Sequence, residues 1–138
     1  FMTLSGLPEF IVGTIEGSGL SKYMILMLLF VMFIILGSIF DTIAAMVITL
    51  PFVFPLIISL GFDPIWWGVI MVIVMEIGMI TPPIGMNVFI MHGMAKHIPL
   101  RTIFRGIAPF VVADFVRLGI VTAFPALALW LPEIWGYL

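Results

Sequence analysis

Long apolar stretches, each closed by a short group of glycine, proline or charged residues, make up most of this chain. They cover residues 24–36, 42–60, 65–91 and 107–131. Apolar stretches of this kind, with few charges, are typical of helices that span or enter a lipid bilayer. The pattern therefore predicts an all-α integral membrane protein.

Composition agrees with this class. Of the 138 residues, 64% are hydrophobic and 9% are charged, whereas roughly a quarter of the residues of a soluble domain are charged. The chain has no cysteine, which excludes disulfides and thiolate metal sites. Its formal net charge is −2, with no dense basic face, so we expect no nucleic-acid partner. The short length and a start at Phe1 without a signal-peptide pattern predict a piece of a longer protein.

The first two long stretches predict a helical hairpin over residues 24–60, after an interfacial or connecting helix within residues 1–23. The first arm, residues 24–36, reaches roughly 20 Å at 1.5 Å per residue, less than the thickness of a hydrocarbon core. If Gly37 and Asp41 form a turn, that turn lies inside the membrane and the hairpin is re-entrant. Two alternatives are equally open: the helix continues through Gly37, or Asp41 is the N-cap of an ordinary two-span hairpin.

Residues 61–92 contain the most unusual interruption of an apolar stretch. Thr81 is followed by Pro82 and Pro83, which have no backbone N–H and keep the preceding residue out of helical geometry. The stretch therefore predicts a discontinuous transmembrane helix. In a bilayer, open backbone persists only where it is packed in protein or lines a watery cavity, and transporters hold ions and substrates at such breaks.

Three charged residues lie inside apolar stretches. Glu76 is near the middle of the broken helix, where an ionisable group is costly unless it is paired, neutral or hydrated. It is therefore either functional or a hydrogen-bonded structural residue. Asp114 and Arg117 lie in the predicted terminal transmembrane helix, residues 107–138. Being three apart, they are predicted to form a structural ion pair on one helix face.

Charge and aromatic residues predict the orientation. Residues 93–106 form a predicted loop with basic residues and no acid, so we place it in the cytoplasm. Trp66 and Trp67 follow a loop signal and fit an aromatic belt at the opposite membrane edge. His92 and His97 lack a supporting carboxylate, so we expect no metal site there.

Several short motifs occur in a specific order along the chain. They are Gly37-Ser38-Ile39-Phe40-Asp41, Pro51 and Pro55, Gly61-Phe62-Asp63-Pro64 with Gly68, Glu76-Ile77-Gly78, and Ile80-Thr81-Pro82-Pro83-Ile84-Gly85-Met86-Asn87. In this order they resemble the C-terminal part of the large membrane subunit of TRAP transporters, the tripartite ATP-independent periplasmic carriers. The resemblance covers essentially the whole chain.

The resemblance implies half of an inverted-repeat fold of the ion-transporter superfamily, with residues 24–60 as the re-entrant hairpin of an elevator-type transport domain. It implies a multi-pass protein of a bacterial or archaeal inner membrane that takes up organic anions such as C4-dicarboxylates or sialic acid. Sodium ions are the coupling ions, with no other cofactor or metal. The implied partners are a small TRAP membrane subunit, a periplasmic substrate-binding protein and the lipid bilayer.

Oxygen atoms at the hairpin tip and the helix break are the candidate ligands, because hard cations prefer oxygen. The candidate sodium-binding residues are Gly37, Ser38, Asp41, Gly78, Thr81 and Asn87. Half-helix N-termini face an anion with positive dipole ends. The candidate substrate-binding residues are Thr81, Pro82, Pro83 and Gly85.

Two other classes of protein remain open from the residues. A proton- or sodium-coupled carrier of another family would use Glu76, so Glu76→Gln would abolish transport while changes at Thr81 and Asn87 would be mild. In a non-transporting membrane assembly subunit, polar substitutions would alter stability without altering flux. Because no paired acid and base or nucleophile is visible, we do not expect an enzyme.

Overall fold

The computed structural model describes residues 6–82 and 84–136. These residues form seven helices: α1 (Leu7–Gly17), α2 (Lys22–Ile39), α3 (Thr42–Ser59), α4 (Pro64–Ile80), α5 (Met86–Met94), α6 (Leu100–Ala123) and α7 (Ala126–Ile134). Helices α2, α3 and α6 are long and apolar enough to cross a membrane, and α4 is a shorter apolar helix. The predicted class, a helical membrane protein, is confirmed at this level.

Helix α4 is the centre of the structure. It packs most extensively against α2 and also contacts α3, α5, α6 and α7, while α1 packs against α3. Its buried face consists of large apolar side chains, among them Ile70, Met71 and Met75. The elements around the helix break are therefore held by packing on α4.

The two tryptophans at the start of α4 are part of this core. Trp66 is 2% exposed and Trp67 is 1% exposed, so the predicted aromatic belt at this position is wrong. The indole N–H of Trp66 donates to the carbonyl of Val121 at 2.9 Å. The ring of Trp67 lies 6.5 Å from that of Phe30 and 6.0 Å from that of Phe33. Trp66 meets α6 and Trp67 meets α2. The position of the two residues next to a loop in the sequence could not indicate this burial.

The hairpin differs from the prediction in its first arm. Helix α2 continues through Gly37 and Ser38 to Ile39 and has 18 residues, about 27 Å at 1.5 Å per residue. The prediction that the first arm ends at residue 36 is therefore wrong. The length of the arm no longer distinguishes a re-entrant hairpin from a spanning one. A glycine inside a helix costs only about 1 kcal/mol, and tertiary packing outweighs that cost here. Asp41 is the N-cap of the second arm, because its carboxylate accepts from the Ala44 N–H at 3.1 Å, and this cap suits a re-entrant and a spanning hairpin equally.

The C-terminal part also has different helix ends. Helix α6 begins at Leu100, directly after Pro99, so the predicted basic loop of residues 93–106 is shortened and its arginines lie on the helix. A single helix over residues 107–131 is likewise wrong, because α6 ends at Ala123 and α7 begins at Ala126. Pro125 keeps Phe124 out of helical geometry, with φ −123° and ψ 77°.

Candidate functional site

The helix break lies where the two prolines predict it. Helix α4 ends at Ile80, and Thr81 has extended backbone with φ −91° and ψ 137°. Helix α5 follows Gly85, whose φ of +59° is left-handed and favours glycine. Pro82 is exposed, and Pro83, a predicted substrate-binding residue, lies outside the described residues.

The prolines leave backbone carbonyls of α4 without helical donors. Because both lack an N–H, the Met79 carbonyl has neither its i+3 nor its i+4 donor. The Gly78 carbonyl loses its i+4 donor and instead accepts from the Thr81 N–H at 3.2 Å. The Thr81 hydroxyl donates to the Ile77 carbonyl. The end of α4 thus presents backbone oxygen that can accept from, or coordinate, another group.

The two candidate glycines, Gly37 on α2 and Gly78 on α4, lie against each other. A Cβ added to Gly78 would lie 2.6 Å from the carbonyl oxygen of Ile34 and 3.0 Å from the Cα of Gly37. A Cβ added to Gly37 would lie 2.8 Å from the carbonyl oxygen of Met75. Only glycine allows backbones to approach this closely, a common device in membrane helix packing. The structure therefore places the end of α2 directly beside the last turn before the break.

Ser38 follows Gly37 at this contact between α2 and α4. The residue is 2% exposed, and its hydroxyl has no hydrogen-bond partner within the described part of the chain. Buried hydroxyls in proteins nearly always have a partner, which can be an ion or ordered water. The Ser38 hydroxyl is therefore buried without a hydrogen-bond partner from the described helices.

The remaining candidates lie around the break or farther from it. Gly85 is buried, and a Cβ added to it would lie 3.2 Å from the carbonyl oxygen of Thr81. Asn87 is exposed in the first turn of α5, with its amide nitrogen 3.9 Å from the Met79 sulfur. Asp41 is exposed, and its carboxylate caps α3. The structure brings Gly37, Gly78, Thr81 and Gly85 into one continuous set of contacts, whereas Asp41 and Asn87 lie at its exposed margins.

Arg117 links the charged residues of the two apolar helices. Its guanidinium lies 2.8 Å from the Glu76 carboxylate and 3.1 Å from the Asp114 carboxylate. The predicted pair between Asp114 and Arg117 is confirmed, but the partnership with Glu76 was missed. The sequence did contain a signal for this partnership, because a carboxylate in the middle of an apolar helix needs a cation nearby. In lipid, an unpaired charge of this kind costs about 2.5 to 3.5 kcal/mol, whereas an exposed pair in water contributes at most about 1 kcal/mol.

Of the two histidines considered for metal binding, His92 lies in the last turn of α5 and His97 in the connection to α6. Nδ1 of His92 lies 3.0 Å from the carbonyl oxygen of Ile98. This contact joins the end of α5 to the loop before α6, which gives His92 a structural partner.

Comparison with known proteins identifies the family. Residues 1–127 match the family model described as the tripartite ATP-independent periplasmic transporter, DctM component. The C4-dicarboxylate TRAP transporter large permease protein DctM of Vibrio cholerae is 36% identical over 133 residues, covering 96% of this chain and 29% of the relative. The protein of the same name from Pseudomonas aeruginosa is 37% identical over 135 residues, covering 98% of this chain and 31% of the relative.

A relative named for another substrate matches as well. The sialic acid TRAP transporter large permease protein SiaM of Vibrio cholerae is 33% identical over 114 residues, covering 82% of this chain and 26% of the relative. The chain thus spans less than a third of the length of these three relatives. Because the family model covers nearly all of its residues, the chain belongs to the DctM component family of tripartite ATP-independent periplasmic transporters, a family of transport proteins and not of enzymes.

Proposed function

We propose that this chain is part of a sodium-coupled carrier that takes up small organic anions delivered by a soluble substrate-binding protein. The observation that carries the proposal is the broken helix α4–α5, in which the Met79 carbonyl has no helical donor and the neighbouring Gly78 packs against Gly37. Inside a membrane, such backbone is stable only if protein, water or an ion satisfies it. The relatives are named for C4-dicarboxylate and sialic acid, both carboxylates. We therefore propose carboxylates as the substrate class.

Sodium binding is proposed at the oxygens around the end of α4. The carbonyls of Gly78 and Met79, the hydroxyl of Thr81 and the unpartnered hydroxyl of Ser38 are the nearest candidates, with the backbone of Gly37 beside them. All are neutral oxygen ligands, which suits a hard monovalent cation. Asp41 and Asn87 join the site only if the hairpin tip and α5 move closer to it.

The substrate anion is proposed at the N-terminus of α5. The N-cap of helix α5 is Gly85, which has no side chain to cap the helix. The first N–H groups of α5 and the positive end of its dipole therefore remain free for an anion. The N-terminus of α3 is different, because the carboxylate of Asp41 already occupies it. Thr81, Pro82 and Gly85 would then lie beside the bound carboxylate.

The remaining parts of the proposal follow from the family. A multi-pass protein of this kind would work in the inner membrane with a small membrane subunit and a periplasmic binding protein. Its hairpin, residues 24–60, would move with the broken helix as an elevator. The connection from α5 to α6 would face the cytoplasm because of Lys96 and of Arg101 and Arg105 at the start of α6. Coupling would require that the fully loaded or empty domain moves more readily than a partly loaded one.

Glu76 is not needed as a proton site in this proposal. Its carboxylate faces α6, where Arg117 neutralises its charge at 2.8 Å. Gly78, two residues later, faces α2. We therefore place the coupling ion on the α2 side of α4 and assign Glu76 to the packing of α4 on α6.

The test is uptake of labelled dicarboxylates and sialic acid by the whole transporter in proteoliposomes. Uptake is measured with and without an inward sodium gradient and with and without the cognate binding protein. The proposal predicts uptake only when both are present. Uptake that is equal without sodium, or without the binding protein, would contradict it.

A further inference from the structure

The last turn of α4 is held on two opposite sides. Side chains two positions apart on an α-helix point in nearly opposite directions, because each residue turns the helix by about 100°. Gly78 accordingly meets the backbone of α2, because a Cβ added to Gly78 would lie 2.6 Å from the carbonyl oxygen of Ile34 and 3.0 Å from the Cα of Gly37. Glu76 points the other way and pairs with Arg117 on α6.

These two contacts differ in kind. The glycine contact is steric and fixes how closely α2 and α4 approach. The ion pair is directional, because Nη2 of the planar guanidinium donates to Oε2 of Glu76 at 2.8 Å, and a hydrogen bond weakens when it bends. Asp114, one helical turn before Arg117, lies 3.1 Å from the same Nη2 atom and therefore holds the guanidinium in place.

We propose that Arg117 is a positioning residue for the sodium site: through Glu76 it fixes the rotation of the last turn of α4, and with it the direction of the Gly78 and Met79 carbonyls before the break. This inference rests on the proposed function, since it concerns the ion bound at those carbonyls. Asp114 supports it by orienting Arg117. The triad contributes no ligand to the ion.

The proposal predicts a change in sodium affinity and not only in stability. Loss of a group that orients a metal ligand typically lowers affinity about 10- to 100-fold. We therefore expect Arg117→Gln and Glu76→Gln each to raise the sodium concentration for half-maximal uptake by about tenfold. The maximal rate at saturating sodium should fall much less. Asp114→Asn, which leaves the pair between Arg117 and Glu76, should have a smaller effect.

A charge exchange tests the pair itself. In the double variant Glu76→Arg/Arg117→Glu the guanidinium comes from α4 and faces two carboxylates on α6, so sodium affinity should return most of the way to that of the wild type. Arg105→Gln is the matched control. It removes a charge from the same helix about three turns away, at an exposed residue without an ion pair in the described part of the chain.

Sodium dependence is measured in two ways on the whole transporter, as uptake in proteoliposomes and as the rise in melting temperature with sodium in detergent. Arg117→Lys, which keeps the charge without the planar fork, is measured in parallel and should show an intermediate shift. Unchanged sodium dependence in the single variants, or no recovery in the double variant, would overturn the positioning role. A wild-type transporter indifferent to sodium would instead overturn the proposed function.

Discussion

At the scale of single residues, the close approach of α2 to α4 depends on two glycines, Gly37 and Gly78, which have no side chain. The sequence singled out Gly37 and Gly78 because each stands in a polar interruption of an apolar stretch. It could not show that they touch, since that contact depends on how two helices cross. The partner of Glu76 was beyond reach for the same reason: the need for a cation was predictable, but the choice of Arg117 depends on the packing of α4 against α6.

Alanine at residue 78 tests this contact. Gly78→Ala places a Cβ 2.6 Å from the Ile34 carbonyl oxygen, and overpacking of this kind costs about 1 to 3 kcal/mol. We expect a lower melting temperature of the purified transporter. Gly68→Ala is the control on the same helix, because its Cβ has nothing within 4 Å and alanine is the better helix former by about 1 kcal/mol. Equal melting of the two variants would contradict the close contact.

At the scale of elements, the pair of prolines after Thr81 predicted a helix end better than Gly37 did. The break after Thr81 was predictable because two residues without an N–H cannot continue the hydrogen-bond ladder. Gly37 permits a turn but does not require one, and α2 runs through it. The interruption at Phe124-Pro125 has a single proline, and single prolines also lie inside α3 and α6 without ending them, so this helix end was not predicted.

Restoring a donor in the break should close it. Pro82→Ala supplies an N–H four residues after Gly78, which can extend α4 and occupy the Gly78 carbonyl. We expect uptake at limiting sodium to fall by about tenfold, as for loss of a metal-orienting group, with an unchanged or higher melting temperature.

Pro109→Ala is the matched control, because it restores an N–H inside α6 away from the break. Its uptake should equal that of the wild type. Equal uptake by Pro82→Ala and Pro109→Ala would show that the open backbone after α4 has no part in transport.

At the scale of the whole molecule, the chain spans less than a third of the length of the relatives it matches. Only 6% of the α6 span is buried within the described chain, and α2 and α3 also present apolar faces outward. Within the described residues nothing covers these faces, which lipid or other helices can contact. The sequence pattern predicts apolar helices, but it cannot assign the cover because lipid and neighbouring helices favour the same residues.

The most direct test of the central claim, that sodium binds at the break after α4, is a sodium titration of the melting temperature of the whole transporter, with choline as the control cation. A ligand that binds only the folded state raises its stability by RT ln(1 + [L]/Kd), so a weaker site needs more ligand for the same rise. Thr81→Val is compared with Thr49→Val, since each replaces a hydroxyl that donates to the carbonyl four residues earlier. We predict that Thr49→Val keeps the wild-type sodium response while Thr81→Val needs about tenfold more sodium for the same rise. The same sodium response in both variants would contradict a sodium site that includes the Thr81 hydroxyl.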